Sequence, residues 1–171
     1  MRHALVVMGP AGSGKSLIGA ALADALRLPF VEGDSFHSPG NVALMAAGTP
    51  LTDEDRHGWL VALAAQLYVA RTEARGVVMS CSALKRRYRD LLRTGDDATC
   101  FIFLRTDVGV LRERLHARTG HYMPVALLDS QLEALEPPRD DECAMTIDSH
   151  QRPAMIVATV LERLPAMFRK P

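Results

Sequence analysis

Ala4-Leu-Val-Val-Met8-Gly9-Pro-Ala-Gly-Ser-Gly14-Lys15-Ser16 decides the reading of this chain. Its first five residues are a continuous apolar run, as expected for a strand covered on both faces, and Gly9 ends it. From Ser16 onward Leu17, Ile18, Ala21, Leu22, Ala25 and Leu26 recur at helical spacing. Between strand and helix, residues 9–16 fit G-x-x-x-x-G-K-[ST] in the context that gives this motif its mechanism. Its glycines let successive backbone amides turn inward on phosphate oxygens, and the following helix presents its positive end to the same charge. Gly9, Pro10, Ala11, Gly12, Ser13, Gly14, Lys15 and Ser16 are therefore the expected nucleotide-binding residues. Lys15 would place a charge on the terminal phosphates and Ser16 would offer its hydroxyl to magnesium, so ATP and Mg2+ are the expected cofactors.

Further apolar runs at residues 29–31, 77–81, 99–104 and 144–147 are continuous rather than alternating and read as buried strands. Helical patterns lie between them. Thr52-Asp-Glu-Asp55 has the spacing of a capping box and should open a long helix through Trp59, Leu63 and Leu67, closed by Gly76. The spacing predicts later helices over 85–92, 107–117, 124–134 and 153–164. Strands alternating with helices predict an α/β fold, with a parallel sheet, helices on both faces and right-handed crossovers.

At 171 residues the chain is expected to form one domain. Lys plus Arg and Asp plus Glu both total 20, so no overall field exists to hold a polyanion. Neither a nucleic acid nor a membrane is an expected partner, and any anion site must be local. No apolar run reaches the length of a membrane span, and residues 4–8 are too short for a signal-peptide core. Cys81, Cys100 and Cys143 are odd in number and widely spaced, which predicts reduced thiols and a cytoplasmic protein.

Phe30-Val31-Glu32-Gly33-Asp34 puts two carboxylates at the carboxyl end of a predicted parallel strand, the edge where open α/β sheets bind ligands. Alternation would send Glu32 and Asp34 to the same side. A phosphotransferase acting on a hydroxyl uses a carboxylate to orient it and take its proton, the role expected of Asp34, with Glu32 supporting through metal-bound water. Residues 77–82 end in hydroxyls rather than the usual magnesium aspartate, so Asp34 would serve metal and substrate together.

Lys85-Arg86-Arg87-Tyr88-Arg89 should open a helix with Lys85 and Arg89 on one anion-binding face. A second basic stretch, Arg112, Arg114 and Arg118 before Gly120-His121-Tyr122, suits residues that close over a nucleotide. The six histidines show no metal-ligand spacing, although His37 and His121 adjoin expected site loops.

Glu32-Gly-Asp-Ser-Phe-His37, residues 41–45, Gly48-Thr-Pro-Leu-Thr-Asp-Glu-Asp-Arg-His-Gly-Trp-Leu60, Cys81-Ser-Ala-Leu-Lys-Arg-Arg-Tyr-Arg-Asp-Leu-Leu-Arg93 and Arg118-Thr-Gly-His-Tyr122 join the phosphate loop in one further reading. Through them nearly the whole chain resembles the bacterial gluconokinase family, relatives of shikimate and nucleoside monophosphate kinases. The resemblance implies a P-loop kinase fold with a five-stranded parallel sheet, a substrate-binding insertion about 37–60, a mobile lid about 114–123 and a homodimer. It implies Lys15, Asp34 and Arg118 as catalytic residues, with Arg114 and Arg118 also on the nucleotide. Asp34, His37, Arg56, Lys85, Arg89, His121 and Gln131 would surround gluconate. The implied reaction is ATP-dependent phosphorylation of D-gluconate at its 6-hydroxyl, giving 6-phosphogluconate. The rivals are another small-acid kinase, such as a shikimate kinase, and a nucleotide-binding switch without transfer chemistry. The sequence departs from the family pattern at three places: Glu32 where aspartate is frequent, Leu44 where lysine is usual, and Tyr122 where phenylalanine is usual.

Overall fold

β1 (Ala4–Met8) takes the centre of the sheet because all five of its side chains are apolar and all five are buried. A computed structural model describes residues 3–117 and 125–168. After β1 come α1 (Lys15–Leu26), β2 (Phe30–Glu32), a 3-10 turn (Gly33–Phe36), α2 (Pro39–Ala46) and α3 (Asp53–Thr72). The chain continues through β3 (Val77–Ser80), α4 (Arg86–Arg93), β4 (Cys100–Arg105), α5 (Val108–Ala117), α6 (Val125–Ala134), β5 (Ala144–Asp148) and α7 (Pro153–Met167). The five strands pair in parallel, in the order β2-β3-β1-β4-β5. Two loops that follow the first and second strands thus emerge at the same edge of the sheet, with β3 between them.

Period-2 alternation along β1 splits the core. Ala4, Val6 and Met8 pack with Leu60, Leu63 and Leu67 of α3 and Tyr88 and Leu92 of α4. Leu5 and Val7 pack on the opposite face against Ile18 and Leu22 of α1 and Ile156, Val160 and Leu164 of α7. A smaller cluster joins Ala11 of the phosphate loop to Leu111 and Leu115 of α5 and Leu128 of α6. Among the described residues no helix is long and apolar enough to cross a membrane.

Thr52 caps α3 as its spacing predicts. Its hydroxyl accepts from the Asp55 amide at 3.1 Å while the Asp55 carboxylate accepts from the Thr52 amide at 2.8 Å. Those bonds hold the Asp55 carboxyl below its usual range, the backbone bond contributing most. The expected stop at Gly76 is corrected: α3 ends at Thr72, and Ala74 adopts the left-handed turn at φ 52°. Gly76 is needed for another reason, since a Cβ there would lie 2.7 Å from the His3 carbonyl oxygen.

The reading of three reduced thiols is also corrected. Cys100 and Cys143 form a disulfide, and only Cys81 is free. The pairing was hidden by a sequence separation of 43, which the β4–β5 ladder brings to contact, with the Phe101 amide donating to the Cys143 carbonyl at 2.8 Å. Burial pushes the Cys81 thiol up to about 12, so it stays a protonated, inert core residue.

Candidate active site

The phosphate loop leaves β1 at the sheet's carboxyl edge and is held at several points. The Gly9 amide donates to the Ser82 carbonyl at 3.3 Å, tying the loop to the chain just beyond β3. The Lys15 ammonium donates to the Pro10 carbonyl at 3.1 Å, curling the side chain back over the loop. Gln131 of α6 accepts from the Ala11 amide at 2.7 Å. Arg114 of α5 donates to the Gly12 carbonyl and to the Ser149 carbonyl, each at 3.2 Å. Gly12 and Gly14 take φ of 84° and 95°, in the left-handed region, which aims the loop amides at the space between them. The buried Ser13 hydroxyl has no hydrogen-bond partner among the described residues.

At the end of β2 the carboxylates part company. The sequence expectation that Glu32 and Asp34 share a side is corrected, because the strand stops at Glu32 and residues 33–36 wind into a 3-10 turn. Glu32 turns to β3 and accepts from the Ser80 hydroxyl, whereas Asp34 lines the cavity described below. Gly33 is the pivot. Its amide donates to the Ser80 hydroxyl oxygen at 3.1 Å, its carbonyl accepts from the Trp59 indole at 2.8 Å, and a Cβ would lie 2.0 Å from the Ser80 carbonyl oxygen. The same indole stacks on His37, with ring centroids 4.1 Å apart. Burial holds the His37 imidazole below its usual pKa; Asp34 pulls it upward and Arg56 pushes it down.

The basic residues sort into three environments. Arg56 lines the cavity and donates to the Tyr88 hydroxyl oxygen at 3.2 Å. Tyr88 in turn donates to Asp53, whose carboxylate also receives the Lys85 ammonium at 3.0 Å and the Arg87 guanidinium. Arg89 departs from expectation. It is 1% exposed, donates to Glu142 at 2.6 and 2.9 Å, and uses its remaining nitrogen on the Ala83, Leu84 and Glu136 carbonyls. A guanidinium so saturated has nothing left to offer a ligand, and the reading of Arg89 as a substrate contact is corrected to a buried structural tie. Burial would push the Glu142 carboxyl up; the N–H bonds from Arg89 and Arg139 outweigh it and leave the carboxyl below its usual range.

A cavity of about 380 Å³ lies between these groups. Of the residues anticipated from sequence, it brings together Ala11, Gly12, Gly14, Lys15, Ser16, Asp34, His37, Arg56 and Gln131. Lys85, Arg89 and Arg114 are not among its wall residues, and Arg114, expected on the nucleotide, instead meets the phosphate loop at the Gly12 carbonyl. Arg118, His121 and Tyr122 lie outside the described residues. Sequence reasoning missed Val42, Met45, Leu51, Trp59, Ser82 and Leu115 as wall residues. Trp59 was the one with a signal, as the chain's single tryptophan beside a capped acidic start.

This geometry has relatives. Over 162 residues the chain is 41% identical to the gluconokinase of Gluconobacter oxydans, covering 95% of this chain and 91% of that protein. The chain belongs to the gluconokinase family. It is 39% identical over 161 residues to the thermoresistant gluconokinase of Escherichia coli, covering 94% and 92% of the two chains. A crystal structure of a gluconokinase from Sinorhizobium meliloti superposes with a TM-score of 0.87 at 46% identity, over 98% of this chain and 95% of that one. An unliganded sugar kinase from Janibacter superposes with a TM-score of 0.92 at 41% identity, over 99% and 100%. Residues 11–165 also match the family described as Shikimate kinase. The fold is that of the P-loop kinases, and membership of this family carries with it ATP, a divalent metal and a small-molecule substrate.

The residues present fit those groups. The glycine-opened loop, the unpartnered Ser13 hydroxyl and the Lys15 ammonium make a cradle for anionic phosphates. Among the described residues no cluster of three or more His, Cys, Asp or Glu could cage a metal ion. Ser16 lines the cavity beside Lys15, where its hydroxyl oxygen could hold a divalent ion together with phosphate oxygens.

Proposed function

We propose that this protein transfers the γ-phosphoryl group of Mg-ATP to the 6-hydroxyl of D-gluconate, giving 6-phosphogluconate and ADP. The observation that carries this reading is the shared wall: Lys15 and Ser16 face Asp34, His37 and Arg56 across one cavity. Phosphate chemistry at one end meets hydroxyl and anion chemistry at the other.

In this mechanism the 6-hydroxyl oxygen attacks the γ-phosphorus in line, and the bond to the β–γ bridging oxygen breaks. Asp34 orients the hydroxyl and receives its proton as the new P–O bond forms. Lys15 and the loop amides hold charge that builds toward the β-phosphate. A bound Mg2+ supplies further neutralisation of the β- and γ-phosphates. His37 and Arg56 fix the polyol and its carboxylate, His37 as a neutral imidazole that can donate at one nitrogen and accept at the other. Arg114 steadies the loop through Gly12, while Arg118 and His121, in the expected lid about 114–123, lie outside the described residues and are assigned to the nucleotide and the acceptor. Residues 37–60 form the acceptor-binding insertion within a single kinase domain.

A homodimer is the partner reading, supported by Val61 and Tyr68, which stand 48% and 55% exposed two turns apart on α3. Light scattering on the purified protein decides it. A cytoplasmic location goes with the use of ATP; alkylation of unreduced protein reports whether Cys100 and Cys143 are linked there.

The functional test is an ADP-release assay against a panel of acids and neutral sugars. Turnover of gluconate well above that of shikimate and glucose supports the proposal. Turnover of shikimate alone would transfer the site to that substrate, and ATP binding without turnover of any acceptor would make the protein a switch.

A further inference from the structure

We propose that Trp59 is a positioning residue that sets Asp34 and His37 against the same acceptor molecule. The inference rests on the reading of Asp34 as proton acceptor and goes beyond it to the group that fixes where Asp34 stands.

Asp34 follows the tightest backbone site around the cavity. Gly33 cannot carry a side chain, because the Ser80 carbonyl occupies the place a Cβ would need. Its amide is held from β3 by the Ser80 hydroxyl. The peptide unit between Gly33 and Asp34 lies in the 3-10 turn, and the Trp59 indole adds a rigid side-chain donor to its carbonyl at 2.8 Å, which limits how far that plane can tilt. That peptide plane carries the Asp34 amide nitrogen, so its tilt sets the direction in which the carboxylate leaves the backbone. The bond is worth more here than at a surface, since Trp59 is 4% exposed and water cannot replace its partner.

The face of the same ring serves a second residue. His37 lies flat on the indole, tilted by 18°, and this stacking adds to a 3.5 Å contact between the imidazole and the Asn41 side-chain amide. One rigid bicycle therefore fixes the spacing between the group that takes the proton and a group that grips the polyol. Its own placement comes from α3, one turn beyond Arg56, and the capping box fixes where that helix starts. Three residues of the site are thus referenced to a single helix.

The two roles separate chemically. Replacing Trp59 with 3-benzothienylalanine puts sulfur in place of the N–H and keeps ring shape and stacking; because the chain holds one tryptophan, the change touches one site. We expect kcat per folded enzyme to fall about 10-fold, with KM for gluconate and for ATP both within about 2-fold of wild type. Trp59→Leu removes the stacking as well and should also raise KM for gluconate about 10-fold while leaving KM for ATP unchanged. A purely structural role would lower the melting temperature and leave kcat of the folded fraction intact, and that result overturns the proposal. So does a benzothienyl enzyme whose loss appears in KM for ATP. Wild-type enzyme is the control on the functional reading: if it ignores gluconate but phosphorylates another acid, the same comparison on that acid still decides the role of Trp59.

Discussion

Arg89 and Glu142, both almost wholly enclosed, meet through two N–H···O bonds of 2.6 and 2.9 Å and so pin the chain after β3 to the connection before β5. Removing one partner would leave the other charge buried and alone. Arg89→Met should lower the unfolding free energy by about 3 to 5 kcal/mol, and the double change with Glu142→Leu should recover much of it. Denaturant titration of the three proteins checks this, and gluconate KM of the folded Arg89→Met enzyme should remain near that of wild type.

Lys15 donates to the Pro10 carbonyl at 3.1 Å and lines the cavity. Lys15→Ala should fold normally and lose turnover by several powers of ten, because the ammonium is the side-chain charge this reading sets against the negative charge building at the bridging oxygen. Near-normal turnover by that variant, measured by ADP release, would contradict the assignment of the loop.

Asp34→Asn keeps the size of the side chain and removes its basicity. The loss should appear in kcat, about 10²- to 10⁴-fold, with ATP affinity preserved. Isothermal titration with a non-hydrolysable ATP analogue separates the two quantities.

Arg56 faces the cavity, while Lys85 is already paired with Asp53. Discrimination of gluconate from neutral glucose should therefore fall more in Arg56→Met than in Lys85→Met. A charge-assisted hydrogen bond to the substrate carboxylate contributes about 1.5 to 3 kcal/mol, so the Arg56 variant should lose roughly 10- to 150-fold in kcat/KM for gluconate and little for glucose. Equal penalties on both sugars in the Arg56 variant would show that the carboxylate is read elsewhere.

His37 gives the protein a pH dependence of known sign. Its pKa in the fold is depressed below the ordinary 6.5, chiefly by burial. Between those two values the unfolded chain binds a proton that the folded chain refuses, so stability is complete above about pH 6.5 and declines as pH falls through the folded value. His37→Gln should flatten that decline, as seen in unfolding free energies measured from pH 7.5 down to 5.

What could be read from sequence was what neighbours along the chain dictate. The phosphate loop, the capping box at Thr52 and the order of strands and helices all depend on residues within a turn or two of one another. Contacts set by tertiary pairing were not legible. Trp59 reaches Gly33 across 26 residues, Asp53 takes Lys85 across 32 and Cys100 finds Cys143 across 43. Arg89 shows the cost most plainly. Its spacing from Lys85 correctly put it on a helix, but the period could not tell that this face meets Glu142 rather than a ligand. Glu32 and Asp34 went astray for a local reason, because a 3-10 turn abolished the alternation that linked them.

The two ends of the cavity hang from strands of unequal standing. β1 is paired on both sides, with β3 and with β4, whereas β2 is three residues long and, among the described residues, paired only with β3. Amide protons in β1 should exchange with solvent only when the whole protein opens, while those of β2 escape through fraying of the sheet margin. Deuterium uptake would then draw a line through the middle of the cavity. The donor half is as durable as the protein itself, and the acceptor half can be reshaped at the margin without disturbing the strand that carries the phosphate loop.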